Sequence, residues 1–244
     1  MPADREAPGT TVSALVPVWN GAEFLAEAIE SILVQEPRVA EVVVVDDGST
    51  DGSGDLARSF GSRVRCVRRA HEGLAATRNA AVREARSDLV AFLDADDLWP
   101  RGRLALLLDA LARNPDCGIV QGRLQRMVRD ALTSQWVLVN ESWRAPNVAT
   151  ALIRRSAFAL VGPFDDKVAG ADDVDWLLRA KEHGVREAQV DAVTLLYRRH
   201  GGNMTNDVGE DQARLLRVLG RAVRRRRAAA TDSSTTPATR DGEQ

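Results

Sequence analysis

The segment Val42-Val43-Val44-Val45-Asp46-Asp47 places two carboxylates directly after a strand-like apolar run. A second segment repeats this arrangement, with Asp94-Ala95-Asp96-Asp97 following Leu89-Val90-Ala91-Phe92-Leu93. Parallel strands are usually buried on both faces, and open α/β sheets bind ligands at the carboxyl ends of their strands. Carboxylates gathered there repel one another unless a positive or hydrogen-bonding group lies between them. The pattern therefore indicates a site for a divalent metal and a phosphate-bearing substrate, as in a nucleotide-using enzyme.

The first half of the chain alternates between strand-like and helix-like patterns. Short apolar runs predict four strands, at residues 11–18, 41–45, 64–67 and 89–93. Helical periodicity or helix-opening turns fill the intervals, with predicted helices at residues 24–33, 51–60 and 74–85. Strands that alternate with helices across short connections indicate a parallel sheet with helices on both faces. The predicted fold class is therefore α/β, with a Rossmann-like, mostly parallel sheet.

The second half of the chain has a less regular pattern. We predict a helix at 103–111, a hairpin-like β region at 119–139, and a strand running into a helix at 149–160, with Ser156 as the helix cap. A helix at 173–183, a strand at 193–197 and an amphipathic helix at 210–227 complete the prediction. Residues 228–244 are rich in Ala, Thr, Ser and Asp, which predicts a disordered tail.

Composition excludes several classes of protein. The 244-residue chain is 44% hydrophobic and 28% charged, which is typical of a soluble protein with a sizeable core. Its net charge of −2 provides no overall basic field, so we expect no nucleic-acid partner. No window approaches the roughly 18 apolar residues of a membrane span, and residues 1–9 are unlike a signal peptide. Cys66 and Cys117 are unclustered, which favours a cytoplasmic location, with peripheral membrane contact left open.

Each acidic cluster also has a purely structural interpretation. Asp46 and Asp47 point to opposite sides of an extended strand, so only one can face a cleft, and the sequence after them favours an Asx-turn in any protein. Asp94 and Asp96 share one side of an extended segment, which suits a hard cation, yet acidic residues also stabilise the start of a helix. At the start of the 173–183 helix, Asp172 as the N-cap with Asp173 and Asp175 in the first turn competes with a general base kept ionised by the helix dipole.

Two features near the C-terminus have open interpretations. His200 follows a predicted strand, and a loop histidine beside a carboxylate-rich cleft is either a third metal ligand or a solvated side chain. The basic run formed by Arg221 and residues 224–227 is typical of a solvated helix face, and weak contact with anionic lipid is the alternative.

Several segments, taken in order, resemble those of a known enzyme family. They are Val12-Ser13-Ala14-Leu15-Val16-Pro17-Val18-Trp19-Asn20, the 46–51 turn, His71-Glu72-Gly73 leading into Ala76-Thr77-Arg78-Asn79-Ala80, residues 92–99, Arg155 to Phe164-Asp165, residues 172–179, and Tyr197-Arg198-Arg199-His200. Each segment alone is unspecific, whereas the ordered set is highly specific. Together the segments resemble the family 2 glycosyltransferases of the GT-A fold over residues 11–206.

The resemblance implies an inverting transfer of a sugar, with a hexose favoured, from a nucleotide diphosphate donor to an acceptor hydroxyl. A UDP-sugar is the favoured donor. It also implies a divalent metal, Mn²⁺ or Mg²⁺, with Asp96 and His200 as ligands and Asp173 as the general base. Asp172 and Trp176 are expected on the acceptor side. Donor or nucleotide contacts are implied for Pro17, Val18, Asn20, Asp47, Arg78, Asp94 and Ala95. The usual Glu-Asp pair of the family is here Asp172-Asp173, so its first member is shortened.

The resemblance also divides the chain into regions. Residues 1–10 form an N-terminal extension and 11–113 a nucleotide-sugar-binding half. Residues 114–227 form an acceptor-binding half, with a smaller acceptor-side subregion and the C-terminal helix, and 228–244 form the tail. We expect acceptor specificity in residues 118–147, the least patterned region. Glycan, lipid-linked, peptide and natural-product acceptors all remain compatible with the sequence.

Two other functions share parts of this pattern. A nucleotidylyltransferase would normally have a glycine-rich phosphate loop and a lysine near its N-terminus, whereas the first lysine of this chain is Lys167. A non-catalytic relative that binds sugar nucleotides would tolerate loss of the acidic residues, whereas Asp47, Asp96 and Asp173 are all present. Both features favour the glycosyltransferase interpretation.

Overall fold

The computed structural model describes residues 11–168, 170–204 and 208–234, which form strands and helices around one mixed sheet. The strands are β1 (Val12–Val18), β2 (Glu41–Asp46), β3 (Val64–Arg68), β4 (Leu89–Phe92), β5 (Cys117–Arg129), β6 (Trp136–Trp143), β7 (Ala151–Arg154) and β8 (Arg186–Arg199). The helices are α1 (Ala22–Leu33), α2 (Ser53–Ser59), α3 (Leu74–Glu84), α4 (Arg103–Arg113), α5 (Arg155–Val161), α6 (Asp172–Glu182) and α7 (Val208–Ser234).

The strand order places the two acidic clusters at the same edge of the sheet, after the two strands that flank β1. The sheet runs β3-β2-β1-β4-β7-β5-β6, and β8 pairs with β5. β1 is parallel to both β2 and β4, with Val18 opposite Asp46 and Leu15 opposite Phe92. Because the chain builds outward from β1 to β2 and β3 and then crosses to β4, the order reverses between β1 and β4. Ligands of open α/β sheets bind at such a reversal, outside the carboxyl ends of the strands.

The central strands are covered on both faces, which confirms the predicted α/β fold class. Alternate residues of a strand point to opposite faces, so Val16 and Val18 of β1 join one core cluster and Leu15 joins the other. The first cluster contains side chains of α1, α2 and α4, and the second contains side chains of α3, α5 and α6. The near-continuous apolar runs of β1, β2 and β4 follow from this two-sided burial.

The strands in the second half of the chain differ in length from their predictions. β5 and β6 form the expected antiparallel hairpin, but β5 is one continuous 13-residue strand with bulges in its pairing to β6 and β8. β8 begins at Arg186 and not at residue 193, because it pairs in parallel with β5 along most of its length. The first part of β8 alternates polar with small or apolar residues and is only half-buried, so it lacks the apolar run that marked the other strands.

Two predicted helix boundaries are wrong. Arg154 and not Ser156 precedes α5, because β7 leads directly into the helix and the Arg155 N–H donates to the Asp88 carbonyl. α7 continues to Ser234, so the predicted disordered tail is helical over residues 228–234, where alanine favours helix. The predicted N-terminal extension, residues 1–10, and the rest of the tail, residues 235–244, lie outside the described residues. Within the described part of the chain, no helix combines the length and apolar character needed to cross a membrane.

Candidate active site at the carboxyl edge of the sheet

The loops that follow β1 and β2 are tied together by hydrogen bonds. The Asn20 side-chain carbonyl accepts the Thr50 N–H at 2.8 Å, and the Ser49 hydroxyl accepts the Asn20 N–H at 2.9 Å. Asn20 has a φ of 49°, a left-handed conformation that asparagine tolerates better than most residues. The Asp51 carboxylate accepts the Ala22 N–H at 2.9 Å, at the start of α1. The loops after β1 and β2 are therefore joined into one unit by the protein's own hydrogen bonds.

Asp46 and Asp47 are both buried, and their carboxylates bond to different loops. Asp46 accepts the Ser49 N–H at 2.8 Å, which is the turn predicted as the structural alternative. The two carboxylate oxygens of Asp47 accept the N–H groups of Glu72 and Gly73, each at 2.9 Å. Asp47 thereby holds the loop before α3 against the end of β2. Asp47 therefore lies at the carboxyl edge of the sheet, as expected, but both of its carboxylate oxygens accept backbone N–H groups.

An aromatic pair missed in the sequence lies beside this loop. Trp19 is 56% exposed, and its ring stacks on His71 with 4.5 Å between the ring centroids. The His71 Nδ1 atom lies 2.9 Å from the Asp47 carboxylate, which orients the imidazole ring. The stacked pair presents a flat surface at the rim of the sheet edge. The periodicity of apolar and polar residues gives no signal for this pair, because Trp19 and His71 are far apart in the sequence.

Arg78 joins the acidic loop after β4 to the start of α6. Its guanidinium donates to Asp172 at 2.8 Å and to Asp94 at 3.0 Å, and the residue is only 4% exposed. Burial alone would lower the pKa of Arg78, but the negative charges of Asp172 and Asp94 outweigh burial and raise it. Arg78 therefore carries its charge and offsets two carboxylates that would otherwise repel each other.

The start of α6 differs from the predicted cap. Ala171 is the N-cap, and Asp172 is the first helical residue, buried against Arg78. Asp175 is also buried and pairs with Arg179 at 2.7 Å and Arg225 at 2.9 Å. The prediction of Asp172 as the cap is wrong because its carboxylate is engaged by α3 and not by the first turn of its own helix.

Asp173 lies close to the charges of Arg78, Asp172 and Asp94. Burial raises its pKa to about 6, the charge of Arg78 opposes that shift, and the charges of Asp172 and Asp94 add to it. Its carboxylate also accepts the Val174 N–H at 2.8 Å. A carboxylate with a pKa near neutrality is suited to accept a proton under physiological conditions.

Asp96 and His200 face each other across the site. The His200 Nε2 atom lies 3.0 Å from the Asp96 carboxylate, and the Asn203 amide donates to the same oxygen at 3.2 Å. The His200 ring packs against Phe24, with 4.4 Å between the ring centroids. The expected pair of metal ligands is thus brought together from the end of β8 and the loop after β4.

Asp97 and Arg198, which had no predicted role, connect these two segments. The Asp97 carboxylate accepts the Arg198 backbone N–H at 2.9 Å, and the Arg198 side chain donates to the Asp96 carbonyl and pairs with Glu27. Burial first, then the charges of Asp96 and Asp94, raises the pKa of Asp97 well above its usual range. The only sequence signal for this connection is the strand-end position of Arg198, two residues before His200.

Two residues with implied substrate contacts lie in the core. Trp176 is fully buried, stacks on Phe158 at 4.3 Å and donates its indole N–H to the Gly162 carbonyl at 2.9 Å. Its assignment to the acceptor side is therefore corrected to a packing role. The Val18 side chain is also in the core, so a donor contact through that side chain is excluded, while the Val18 carbonyl accepts the Asp47 N–H.

The remaining expected donor contacts lie at the sheet edge. Pro17 is a buried residue of β1 opposite Val45, and Ala95 is half-buried in the loop after β4. A Cβ atom on Gly21 would come within 3.4 Å of the Ala95 side chain, so the loops after β1 and β4 approach closely. Small residues at both positions permit this approach.

Replacing Trp176 by alanine is expected to lower the free energy of unfolding by about 3–5 kcal/mol, because it leaves a cavity beside Phe158 and an unpaired Gly162 carbonyl. Urea unfolding followed by far-UV circular dichroism measures the change. Trp176→Phe keeps an aromatic ring beside Phe158 and should lower the free energy of unfolding by less than Trp176→Ala does. Equal stability of Trp176→Ala and the wild-type chain would contradict the packing role.

The donor atoms at the site fit a metal that is shared with a substrate. Among the described residues, no group of three or more His, Cys, Asp or Glu side chains is arranged to hold a metal on its own. Asp96 supplies one carboxylate and His200 supplies one imidazole, and the Asp96 Oδ2 and His200 Nε2 atoms lie 3.0 Å apart. Mg²⁺ and Mn²⁺ sites at nucleotides commonly use one or two protein ligands and complete the shell with phosphate oxygens and water. The pair is compatible with such a site.

Two family models match the chain. The model described as Glycosyl transferase family 2 matches residues 13–158, and the model described as Glycosyltransferase like family 2 matches residues 121–226. The uncharacterized glycosyltransferase EpsJ of Bacillus subtilis is 26% identical over 215 residues, covering 80% of this chain and 62% of EpsJ. The succinoglycan biosynthesis protein ExoU of Rhizobium meliloti is 44% identical over 103 residues, covering 41% of this chain and 30% of ExoU. The chain is thus shorter than these curated relatives.

Solved structures share the fold. Mannosyltransferase PcManGT from Pyrobaculum calidifontis, in complex with GDP-Man and Mn²⁺, superposes with a TM-score of 0.69 at 25% identity, over 90% of this chain and 67% of PcManGT. S. aureus TarS 1–349 in complex with UDP superposes with a TM-score of 0.66 at 18% identity, over 87% of this chain and 65% of that one. These structures support the GT-A assignment of the fold. With a family model matching more than half of its residues, the chain belongs to glycosyltransferase family 2.

Proposed function

We propose that this chain is an inverting glycosyltransferase that moves a sugar from a nucleotide diphosphate donor to an acceptor hydroxyl. The observation that carries the proposal is the meeting of Arg78, Asp94 and Asp172 beside Asp173, at the same sheet edge as Asp96 and His200. This arrangement combines a carboxylate of raised pKa with a separate pair of side chains of the kinds that bind metals, one carboxylate and one imidazole. A single displacement at a sugar carbon needs both, one to accept a proton and one to neutralise the leaving group.

We propose that the donor lies along the loops after β1, β2 and β4. Pro17, Asn20 and Asp47 are the proposed contacts on the nucleotide side, with Ala95 and Asp94 nearer the diphosphate. The solved relatives are described in complex with UDP, UDP-GlcNAc or GDP-Man, so a nucleoside diphosphate sugar is the supported donor class. A UDP-sugar remains the favoured member of that class. Arg78 is proposed to keep Asp94 and Asp172 in place and not to contact the donor directly.

We propose that Asp96 and His200 hold a divalent metal, Mn²⁺ or Mg²⁺. When bound, the metal would offset negative charge on the departing diphosphate. Asn203 donates to the same Asp96 oxygen that faces His200 and so orients the carboxylate. Arg198 and Asp97 hold the two segments that carry the ligands at a fixed distance.

Asp173 is the proposed general base. Its carboxylate would accept the proton of the acceptor hydroxyl while the hydroxyl oxygen attacks the sugar carbon from the face opposite the diphosphate. The nucleotide diphosphate leaves with the electron pair of the broken bond, so the sugar configuration inverts and no covalent sugar–enzyme intermediate forms. Residues 118–147, which include the β5–β6 hairpin, are proposed to select the acceptor.

The free Cys66 and Cys117 thiols support the proposed cytoplasmic location.

A panel of nucleoside diphosphate sugars tests the proposal. We expect the melting temperature to rise with one donor class in the presence of Mn²⁺ or Mg²⁺, and slow release of the nucleoside diphosphate without an added acceptor, because water can replace the acceptor. Donor-dependent stabilisation with no release under any condition would favour the non-catalytic relative. Release of pyrophosphate from a nucleoside triphosphate and a sugar phosphate would favour a nucleotidylyltransferase.

His200→Ala is expected to raise the metal concentration needed for half-maximal donor turnover by roughly 10–100-fold, since the metal loses one of two proposed protein ligands. The measurement is a metal titration of donor turnover after chelator treatment. His183→Ala changes a histidine at the far end of α6 and serves as the matched control. An unchanged metal requirement in His200→Ala would return His200 to a loop residue that only bonds to Asp96.

A further inference from the structure

An exposed apolar stripe runs along α7. Leu215, Leu216, Leu219 and Val223 are 42%, 70%, 42% and 49% exposed. Their spacing of one, three and four residues places all four on the same side of a helix with 3.6 residues per turn. Large apolar side chains that recur on one helix face and remain exposed indicate an interaction surface more strongly than scattered ones do. We call these four residues the α7 stripe.

The same helix concentrates positive charge. Residues 208–227 contain seven arginines and two acidic residues, whereas the whole chain has a net charge of −2. Arg217, Arg224 and Arg226 are exposed beside the α7 stripe. A helix that combines an apolar face with flanking arginines is typical of segments that lie in the interface of an anionic membrane.

The opposite side of α7 is fixed to the fold, so the stripe has a defined outward orientation. Val218 is buried in a small core cluster with Val168 and Ala171. Arg221 pairs with Asp165, and Arg225 pairs with Asp175 at 2.9 Å. These contacts anchor the helix through residues that alternate with those of the stripe. Rotation of α7 to bury its leucines would break them.

A cationic groove adjoins the stripe. It lies between α7 and the turn at Asp166–Val168. Its charged lining consists of five basic residues, Lys167, Arg214, Arg217, Arg221 and Arg224, and one acidic residue, Glu210. Leu216 belongs to both the groove and the stripe. The apolar and cationic surfaces are therefore continuous, which matches the succession of acyl chains and phosphate headgroups at the surface of a bilayer.

We propose that α7 docks this protein on a membrane surface that contains anionic phospholipids, with the α7 stripe in the acyl boundary and the arginines at the headgroups. The positive charge of α7 makes a second copy of this chain an unfavourable partner, because two α7 helices facing each other would bring their arginines together. α7 packs on α6 through Val218 and Ala171, and Ala171 immediately precedes Asp172. If the proposed glycosyl transfer is correct, the membrane lies one helix away from the acceptor side of the site.

Vesicle sedimentation tests the docking without any sugar substrate. The full chain is mixed with vesicles of phosphatidylcholine, with or without phosphatidylglycerol, at low and high salt. We expect binding to the phosphatidylglycerol vesicles that weakens as salt rises. Leu216→Ser combined with Leu219→Ser should abolish most of that binding. Arg217→Gln and Arg224→Gln should each weaken it by roughly fivefold, the contribution of one arginine near an anionic surface.

Matched variants distinguish vesicle binding by the α7 stripe from nonspecific vesicle binding by other exposed residues. Leu132→Ser removes a leucine that is 95% exposed on the β5–β6 turn, and Arg63→Gln removes an exposed arginine before β3. Both should bind vesicles as the wild-type chain does, and circular dichroism should show the same helix content for all variants. Equal binding by the wild-type chain and the Leu216→Ser/Leu219→Ser variant would overturn the proposal. The proposal would also be overturned if the wild-type chain formed a dimer that does not bind vesicles and the Leu216→Ser/Leu219→Ser variant were a monomer. That result would make the α7 stripe a subunit interface. Because donor turnover is not measured, a failed glycosyltransferase proposal leaves this test intact.

Discussion

Asp173→Asn lowers turnover by about 10²–10⁴-fold if Asp173 is the general base, because an amide cannot accept the proton of the acceptor hydroxyl. Donor affinity should change little, since the base contacts the acceptor and not the diphosphate. The substitution is nearly isosteric and keeps a carbonyl oxygen in place to accept the Val174 N–H, so the start of α6 should persist. Steady-state turnover and donor-dependent melting temperature, measured on the same preparation, separate the two quantities.

Neighbouring aspartates provide the controls. Asp175 pairs with Arg179 and Arg225 on the side away from Arg78, so Asp175→Asn should reduce stability and leave turnover per folded molecule nearly unchanged. Asp172→Asn removes one of the two carboxylates that Arg78 contacts and should lower both stability and turnover. Normal turnover in Asp173→Asn, together with loss in Asp172→Asn or Asp175→Asn, would place the base on that neighbour.

The pH dependence follows from the same residue. The pKa of Asp173 is raised to about 6, so the carboxylate is mostly ionised at pH 7 and becomes protonated as the pH falls. Since only the ionised form accepts a proton, turnover should fall through pH 6 and then by about tenfold per pH unit. The residual activity of Asp173→Asn should lack this decline. A wild-type profile that stays flat down to pH 4 would contradict a base with a raised pKa.

Asp96→Asn is expected to lower metal-dependent turnover by roughly 10²-fold or more, because a neutral amide is a weaker ligand for a hard cation and the charge of the leaving diphosphate is then less well neutralised. The side chain of Asp96 is 31% exposed, so the substitution should not unfold the chain. Donor turnover in chelator-treated buffer with stepwise addition of Mn²⁺ measures the effect.

Two comparisons make the Asp96 result specific. Asp109→Asn changes an exposed carboxylate of α4 that pairs with Arg113, and its metal titration should match that of the wild-type chain. Partial recovery of Asp96→Asn at high Mn²⁺ would support the role of the carboxylate as a ligand. Full activity of Asp96→Asn without added metal would refute that role and leave Asp96 as the hydrogen-bond partner of His200 and Asn203.

Much of the first half of the chain could be predicted because its signals are local. The apolar runs of β1, β2 and β4 are long enough to predict buried parallel strands, and the acidic clusters after them are found at the carboxyl edge of the sheet. β8 was predicted too short because its first residues are mostly polar, and its pairing with β5 joins segments about 70 residues apart. Trp176 was misplaced because an aromatic residue one turn into an acidic helix has the same local pattern whether it faces a cleft or a core.

The sequence by itself determined the order of strands and helices, the position of the acidic residues at strand ends, and the resemblance to family 2. These properties depend on periodicity and on residues close together in the chain. Only the tertiary structure decided which partner each charged side chain has. Arg78 meets Asp172 across 94 residues, and His200 meets Asp96 across 104 residues. Burial of a charge is costly without an opposite charge nearby, so these pairings, set by the packing of distant segments, decide which carboxylates are neutralised and which one keeps a pKa near neutrality.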